Sequence, residues 1–188
     1  METIKVSDRM FRRYLSQDKI LTEVSRVADE INHDLQGVRR PLFVCVLNGA
    51  FVFASDLFRR ITLPDAEITF IRMKSYEGTQ TTGKVKTIAG LLESVVDRTV
   101  IVVEDIVDSG YTMKRLVSQL YELGAARVKV CCLLDKPNAH KVENLVLDYV
   151  ALDIPNDFIV GYGLDYNEAG RNLPDIWVVT DLQRTLNL

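Results

Sequence analysis

Six consecutive apolar residues, Leu42-Phe43-Val44-Cys45-Val46-Leu47, constrain this chain more than any other feature in it. A strand with water on one face alternates apolar and polar residues, so a strand that is apolar throughout is covered on both faces. That is the situation of a parallel sheet with helices above and below. Asn48-Gly49 ends the run. Thr99 to Val103 reads as a second buried strand, and Ile68 to Met73 and Val128 to Leu134 as two more.

Helical patterns lie between these strands. Ile20, Leu21, Val24, Val27, Ile31 and Leu35 recur at helical spacing from residue 17 onward, with Gly37 as the stop. Ala50 to Arg60 forms a crossover helix, and Met113 to Leu123 forms another, closed by Gly124. Strands alternating with helices predict an α/β fold with a central, mostly parallel sheet flanked by helices. Tyr149 to Ile154, Phe158 to Gly163 and Ile176 to Val179, broken by Pro155 and Pro174, read as further strands and irregular turns beside that sheet. The 188 residues, 47% of them hydrophobic, suffice for one core, so a single domain over 1–188 is expected.

Charge and cysteine usage exclude several classes. The 23 basic and 26 acidic residues nearly cancel, and Arg12-Arg13, Arg39-Arg40 and Arg59-Arg60 are scattered, which argues against a nucleic-acid surface. Cys45, Cys131 and Cys132 sit in apolar runs without paired spacing or a nearby His, and read as reduced core residues, not zinc ligands. No apolar run approaches the ~20 residues that span a bilayer, and the N-terminus has no signal region, so no membrane association and a cytoplasmic location are expected.

Chemistry concentrates in Val103-Glu104-Asp105-Ile106-Val107-Asp108-Ser109-Gly110-Tyr111-Thr112, read as a buried strand, an acidic turn and a helix start. Ligands of open α/β sheets bind at the carboxyl ends of strands, and backbone N–H groups at a helix start cradle phosphate. Ser109, Gly110, Tyr111 and Thr112 occupy the position of such a cradle. Gly110 brings backbone freedom, and the Ser109 and Thr112 hydroxyls bring donors. Carboxylates beside a phosphate need another task, and Glu104 and Asp105 suit sugar hydroxyls or Mg²⁺. The polar stretch from Lys74 to Lys84, with two glycines and no hydrophobic period, reads as either a disordered loop or an active-site lid, over about 74–87.

The 103–112 segment closely resembles the PRPP-binding motif of type I phosphoribosyltransferases. A second stretch, Asp157 to Glu168 with Arg171, resembles the C-terminal signature of hypoxanthine-guanine phosphoribosyltransferases. Lys136 before Pro137, Ser75-Tyr76, and Leu47-Asn48-Gly49 match in the same order. The resemblance implies the type I fold, with a small hood made from the N- and C-terminal segments and a flexible lid containing Ser75 and Tyr76. It implies transfer of the phosphoribosyl group of PRPP to a 6-oxopurine, hypoxanthine first, with Mg²⁺.

By the same resemblance, Asp108 is the general base, and Glu104, Asp105, Ser109, Gly110, Tyr111 and Thr112 bind ribose and phosphate. Asn48, Gly49 and Arg171 bind pyrophosphate. Lys136 reads the 6-oxo group, Phe158 stacks on the purine, and Ile159 approaches its edge through backbone. Glu104, Asp105 and Asp165 lie near the metal. The family commonly has lysine where this chain has Asn48, and it usually forms homodimers or homotetramers. The preference among hypoxanthine, guanine and xanthine stays open, and a regulatory protein that kept a PRPP pocket is the rival from another class. A dinucleotide-binding oxidoreductase is set aside, since no GxGxxG follows a strand.

Overall fold

A computed structural model describes residues 2–73 and 90–180. The expected lid, with Ser75 and Tyr76, lies outside the described residues. Five strands, β3 (Leu42–Leu47), β4 (Glu67–Arg72), β5 (Thr99–Val107), β6 (Arg127–Asp135) and β7 (Tyr149–Asp153), form a parallel sheet in the order β4-β3-β5-β6-β7. Helix α1 (Gln17–Asp34) lies on one face with α2 (Phe51–Phe58), and α3 (Tyr111–Glu122) lies on the other.

The uninterrupted apolar run of β3 has a direct structural cause. Phe43 and Cys45 pack among α1 and α2 residues such as Ile20, Ile31, Phe53 and Leu57, whereas Leu42 and Val44 pack with Met113, Leu116 and Leu120 of α3. Alternate side chains thus enter two separate cores, and each fully buried aliphatic side chain contributes roughly 1.5–3 kcal/mol. Helix α1 starts at Ser16, whose Oγ accepts from the Lys19 amide at 3.3 Å, and buries the stripe Ile20, Val24, Val27, Ala28 and Ile31. Its chain reverses through Gly37 at φ +77°.

From β3 the chain moves outward through α2 to β4, and from β5 it moves the opposite way through α3 to β6. The direction of winding therefore changes between β3 and β5, which opens a crevice at their carboxyl ends.

Both chain ends build a second, antiparallel sheet. Its order is β1-β2-β9-β8, with β1 (Thr3–Val6), β2 (Arg9–Leu15), β8 (Ile159–Val160) and β9 (Ile176–Val179). Phe11 pairs with Val179 and Arg13 with Trp177. The Tyr162 hydroxyl donates to Asp56 Oδ2 at 2.7 Å, tying the β8–β9 connection to α2.

Two sequence expectations change, and one element had none. The acidic residues after Val103 are not a turn: β5 continues through Val107 because Glu104, Ile106 and Val107 keep pairing with Cys132, Leu134 and Asp135 of β6. The 149–153 strand is the fifth member of the main sheet, not a neighbour of it. The β1–β2 hairpin was not read from the sequence, where its short strands mix basic and apolar residues and about half of them are exposed. Among the described residues, no helix is long and apolar enough to cross a membrane.

Candidate active site

Gly49 follows β3, and a Cβ on it would strike the Asp105 carboxylate on β5. Gly163, from the β8–β9 connection, likewise leaves no room for a Cβ against the Gly49 carbonyl. Two glycines thus let three segments close on one point at the winding reversal. The Leu47–Asn48 peptide bond is cis, and Asn48 Oδ1 accepts from Arg72 Nη2 at 3.2 Å.

Across the crevice, Asp108-Ser109-Gly110 leads into α3. Gly110 is the residue before the first helical turn, at φ +81°, and no side chain caps that helix start. Its uncapped amides and the helix dipole favour an anion. Val142 Cγ2 and Leu145 Cδ2 pack against Gly110, where a Cβ would lie 2.5 and 2.7 Å from them. The Ser109 carbonyl accepts from the Lys141 amide at 3.0 Å, and Tyr111 and Thr112 are exposed in the first turn.

Glu104 is buried and Asp105 follows it on the same strand end. Burial above all, and then the Asp105 carboxylate, push the Glu104 carboxyl well above the usual range. Burial, reinforced by these two acids, pushes the Cys45 thiol to about 12, so it stays protonated at neutral pH. All three cysteines are free and buried. Among the described residues, no three His, Cys, Asp or Glu side chains converge to hold an ion unaided. The uncompensated Glu104–Asp105 pair nonetheless fits a hard divalent cation whose shell is completed by water and substrate oxygens.

Asp165 accepts from the Glu168 amide at 2.8 Å and pairs with Arg171 at 2.7 Å. Arg171 also donates to the Gly163 carbonyl at 2.8 Å. Its fork therefore shapes the connection that touches Gly49.

At the other end, Lys136 is only 7% exposed, and its Nζ lies 3.6 Å from Asp108 Oδ2. The lysine leaves β6 with its amide on the Val107 carbonyl at 3.0 Å, and a short 3-10 turn, Pro137–Ala139, follows. Phe158 is 42% exposed and lies edge-on to Tyr166, with ring centroids 5.7 Å apart. Phe11 from β2 touches both rings, and Arg9 sits 5.1 Å from the Tyr166 centroid. The Ile159 side chain is in the main core, so only its backbone is left to face a ligand.

Asn48, Gly49 and Asp105 thus meet in the crevice; Asp165 and Arg171 join them through Gly163; Asp108 meets Lys136. Sequence reasoning missed Arg72, which Asn48 meets across the β3–β4 register, and His140, which folds back on Asp135. No local pattern marks either residue, because each acts on a partner from a different turn or strand.

The phosphoribosyl transferase domain family matches residues 12–167. A hypoxanthine-guanine phosphoribosyltransferase of Streptococcus thermophilus is 38% identical over 167 residues, covering 88% of this chain and 91% of the relative. A bifunctional TilS/HprT protein of Listeria monocytogenes is 42% identical over 166 residues; the match covers 88% of this chain and 25% of that longer protein. This chain therefore spans about a quarter of the length of the bifunctional relatives. A crystal structure of a hypoxanthine-guanine phosphoribosyltransferase from Bacillus anthracis superposes with a TM-score of 0.78 at 41% identity, over 89% of this chain and 96% of that one. A shared domain over most of the chain, the parallel sheet with its crevice, and full-length relatives above the level at which folds diverge lead to one conclusion: the chain belongs to the phosphoribosyltransferase family, among the hypoxanthine-guanine phosphoribosyltransferases.

Proposed function

We propose that this protein transfers the 5-phosphoribosyl group of PRPP to hypoxanthine, and to guanine, giving IMP or GMP and pyrophosphate in purine salvage. One observation carries the reading: the uncapped start of α3 behind Gly110 adjoins the Glu104–Asp105 strand end, at the winding reversal of a parallel sheet. An anion cradle beside two carboxylates suits a sugar that bears both a phosphate and cis hydroxyls.

In this reading the 5-phosphate rests on the amides and hydroxyls of Ser109, Gly110, Tyr111 and Thr112, and the ribose hydroxyls meet Glu104 and Asp105. A nitrogen of the purine's five-membered ring bonds to the anomeric carbon as the carbon–oxygen bond to pyrophosphate breaks. Asp108 takes the proton that the nitrogen loses. Lys136 donates to the 6-oxo oxygen; an ammonium cannot accept from a 6-amino group, so adenine is rejected. Phe158 covers the purine face, and the Ile159 backbone meets its edge.

Asn48 and Gly49 offer their backbone to pyrophosphate, and Arg171 faces the same group while ordering the connection around Gly163. Mg²⁺, when bound, neutralises pyrophosphate charge; Glu104, Asp105 and Asp165 are the residues that would hold it. The resemblance assigns Ser75 and Tyr76, which lie outside the described residues, the task of excluding water. The small sheet, carrying Phe158, serves as the hood of a single domain spanning 1–188.

Buried thiols support a cytoplasmic location. A homodimer or homotetramer is supported by Phe51 and Phe70, each 43% exposed on α2 and on β4 at the sheet edge; Phe53, by contrast, is fully buried in the core.

The test is pyrophosphate release from PRPP and Mg²⁺ with each purine base in turn. Release with an oxopurine and none with adenine is expected; PRPP binding without release under any base would support the regulatory alternative instead.

A further inference from the structure

Asp135, the last residue of β6, has a side chain only 8% exposed, and its carboxylate meets His140 Nε2 at 2.7 Å. The next residue is Lys136, also buried, yet its ammonium turns to Asp108 and not to its neighbour's carboxylate. A carboxylate buried without a partner is costly, and a lysine beside it is the nearest remedy. His140 removes that demand. The turn Pro137–Ala139, closed by the Ala139 amide on the Lys136 carbonyl at 2.9 Å, brings the imidazole back onto Asp135. With Nε2 protonated, the ring donates to Asp135 Oδ1. The following residue, Lys141, donates its amide to Ser109, so the same loop joins the buried lysine to the anion cradle.

We infer that Asp135 and His140 form a positioning pair that keeps the Lys136 ammonium on the Asp108 side, where it can meet the purine, although neither residue touches the base. The inference rests on the assignment of Lys136 to the 6-oxo group. Adjacent Cα atoms are about 3.8 Å apart and a lysine stem is long, so without His140 the Asp135 carboxylate captures the Lys136 ammonium and draws it from the site.

The test is initial-rate kinetics on the full chain, varying hypoxanthine and PRPP separately. His140→Ala is expected to raise the KM for hypoxanthine about tenfold while that for PRPP moves less than about twofold. His140→Gln, which keeps a donor near the Nε2 position, is expected to restore it. Asp135→Asn/His140→Ala, which has no captive charge, is expected to match Asp135→Asn. An unchanged hypoxanthine KM in His140→Ala, or equal rises for both substrates, overturns the inference.

Should His140→Ala fail to fold, the comparison of Asp135→Asn with the double variant decides alone: equal hypoxanthine KM values support the pair, and a gap of about tenfold overturns it. A wild-type protein that releases no pyrophosphate with any oxopurine would overturn the Lys136 assignment itself, which is a separate outcome.

Discussion

The two ends of the site are built from different materials. The end proposed for phosphate is shaped by backbone, with side chains added to it: the uncapped amides at the start of α3, Gly110 at φ +81°, and Gly49 pressed between Asp105 and Gly163. The end proposed for the base is side chain: Lys136 held against Asp108, and Phe158 propped by Phe11 and Tyr166. Backbone donors cannot be mutated away, so the backbone part of the first end is damaged by adding atoms. Side chains can be removed, so damage at the second end comes from deleting them.

The sharpest way to break this contrast lies where the two ends meet. Asp108→Asn is expected to slow nucleotide synthesis by ~10²-fold or more while PRPP still binds, because an amide cannot take a proton. Unchanged turnover in single-turnover assays would remove Asp108 from the chemistry. Lys136→Ala, a deletion at the base end, should raise the hypoxanthine KM by ~10- to 100-fold, the range for a lost charged hydrogen bond, with little change in PRPP affinity. Equal losses for the two ligands would make Lys136 a structural or phosphate-contacting residue.

Gly110→Ala adds one methyl at the phosphate end, in a left-handed conformation and against Val142 and Leu145. The left-handed backbone alone costs about 1–2 kcal/mol, which thermal melts should register, and the PRPP KM should rise while that for hypoxanthine holds. A variant with unaltered PRPP affinity would show that the cradle tolerates added atoms, and the contrast would fail.

The smallest expected effect concerns protons. Glu104, buried beside Asp105, keeps its proton in the folded chain above the ordinary carboxylate value of 4.5, where the unfolded chain has released it. The native state then binds more protons, so this group makes the metal-free protein less stable as pH rises from about 4.5 toward the raised value. Glu23, Asp34 and Glu67, held low by hydrogen-bonded partners, tilt the curve the other way. The difference between wild type and Glu104→Gln therefore isolates the Glu104 part, and melts across pH that differ by a constant would contradict it.

Legibility in the sequence follows the same division. The strand and helix start around Gly110 were readable because they are contiguous, and contiguous patterns report local backbone. Even there the strand end was misjudged: the acidic Glu104 and Asp105 suggest a turn, yet pairing to β6 keeps the strand extended through Val107. The resemblance pointed to the residues of the base end, but not to what holds them. Arg72 beside Asn48, His140 beside Asp135, and the Phe11–Phe158–Tyr166 cluster are contacts between segments far apart or folded back by an irregular turn. The β1–β2 hairpin was invisible because half its residues face water and its stabilising partner is β9.

That last pairing sets a timetable for biosynthesis. Phe11 awaits Val179 and Arg13 awaits Trp177. At roughly 5–20 residues per second of translation, β2 stays without β9 for about ten to thirty seconds. The parallel sheet can assemble β3 to β7 during that interval. The small sheet is therefore completed after the parallel one, and the turn at Gly110 can take shape before Phe158 gains its backing from Phe11.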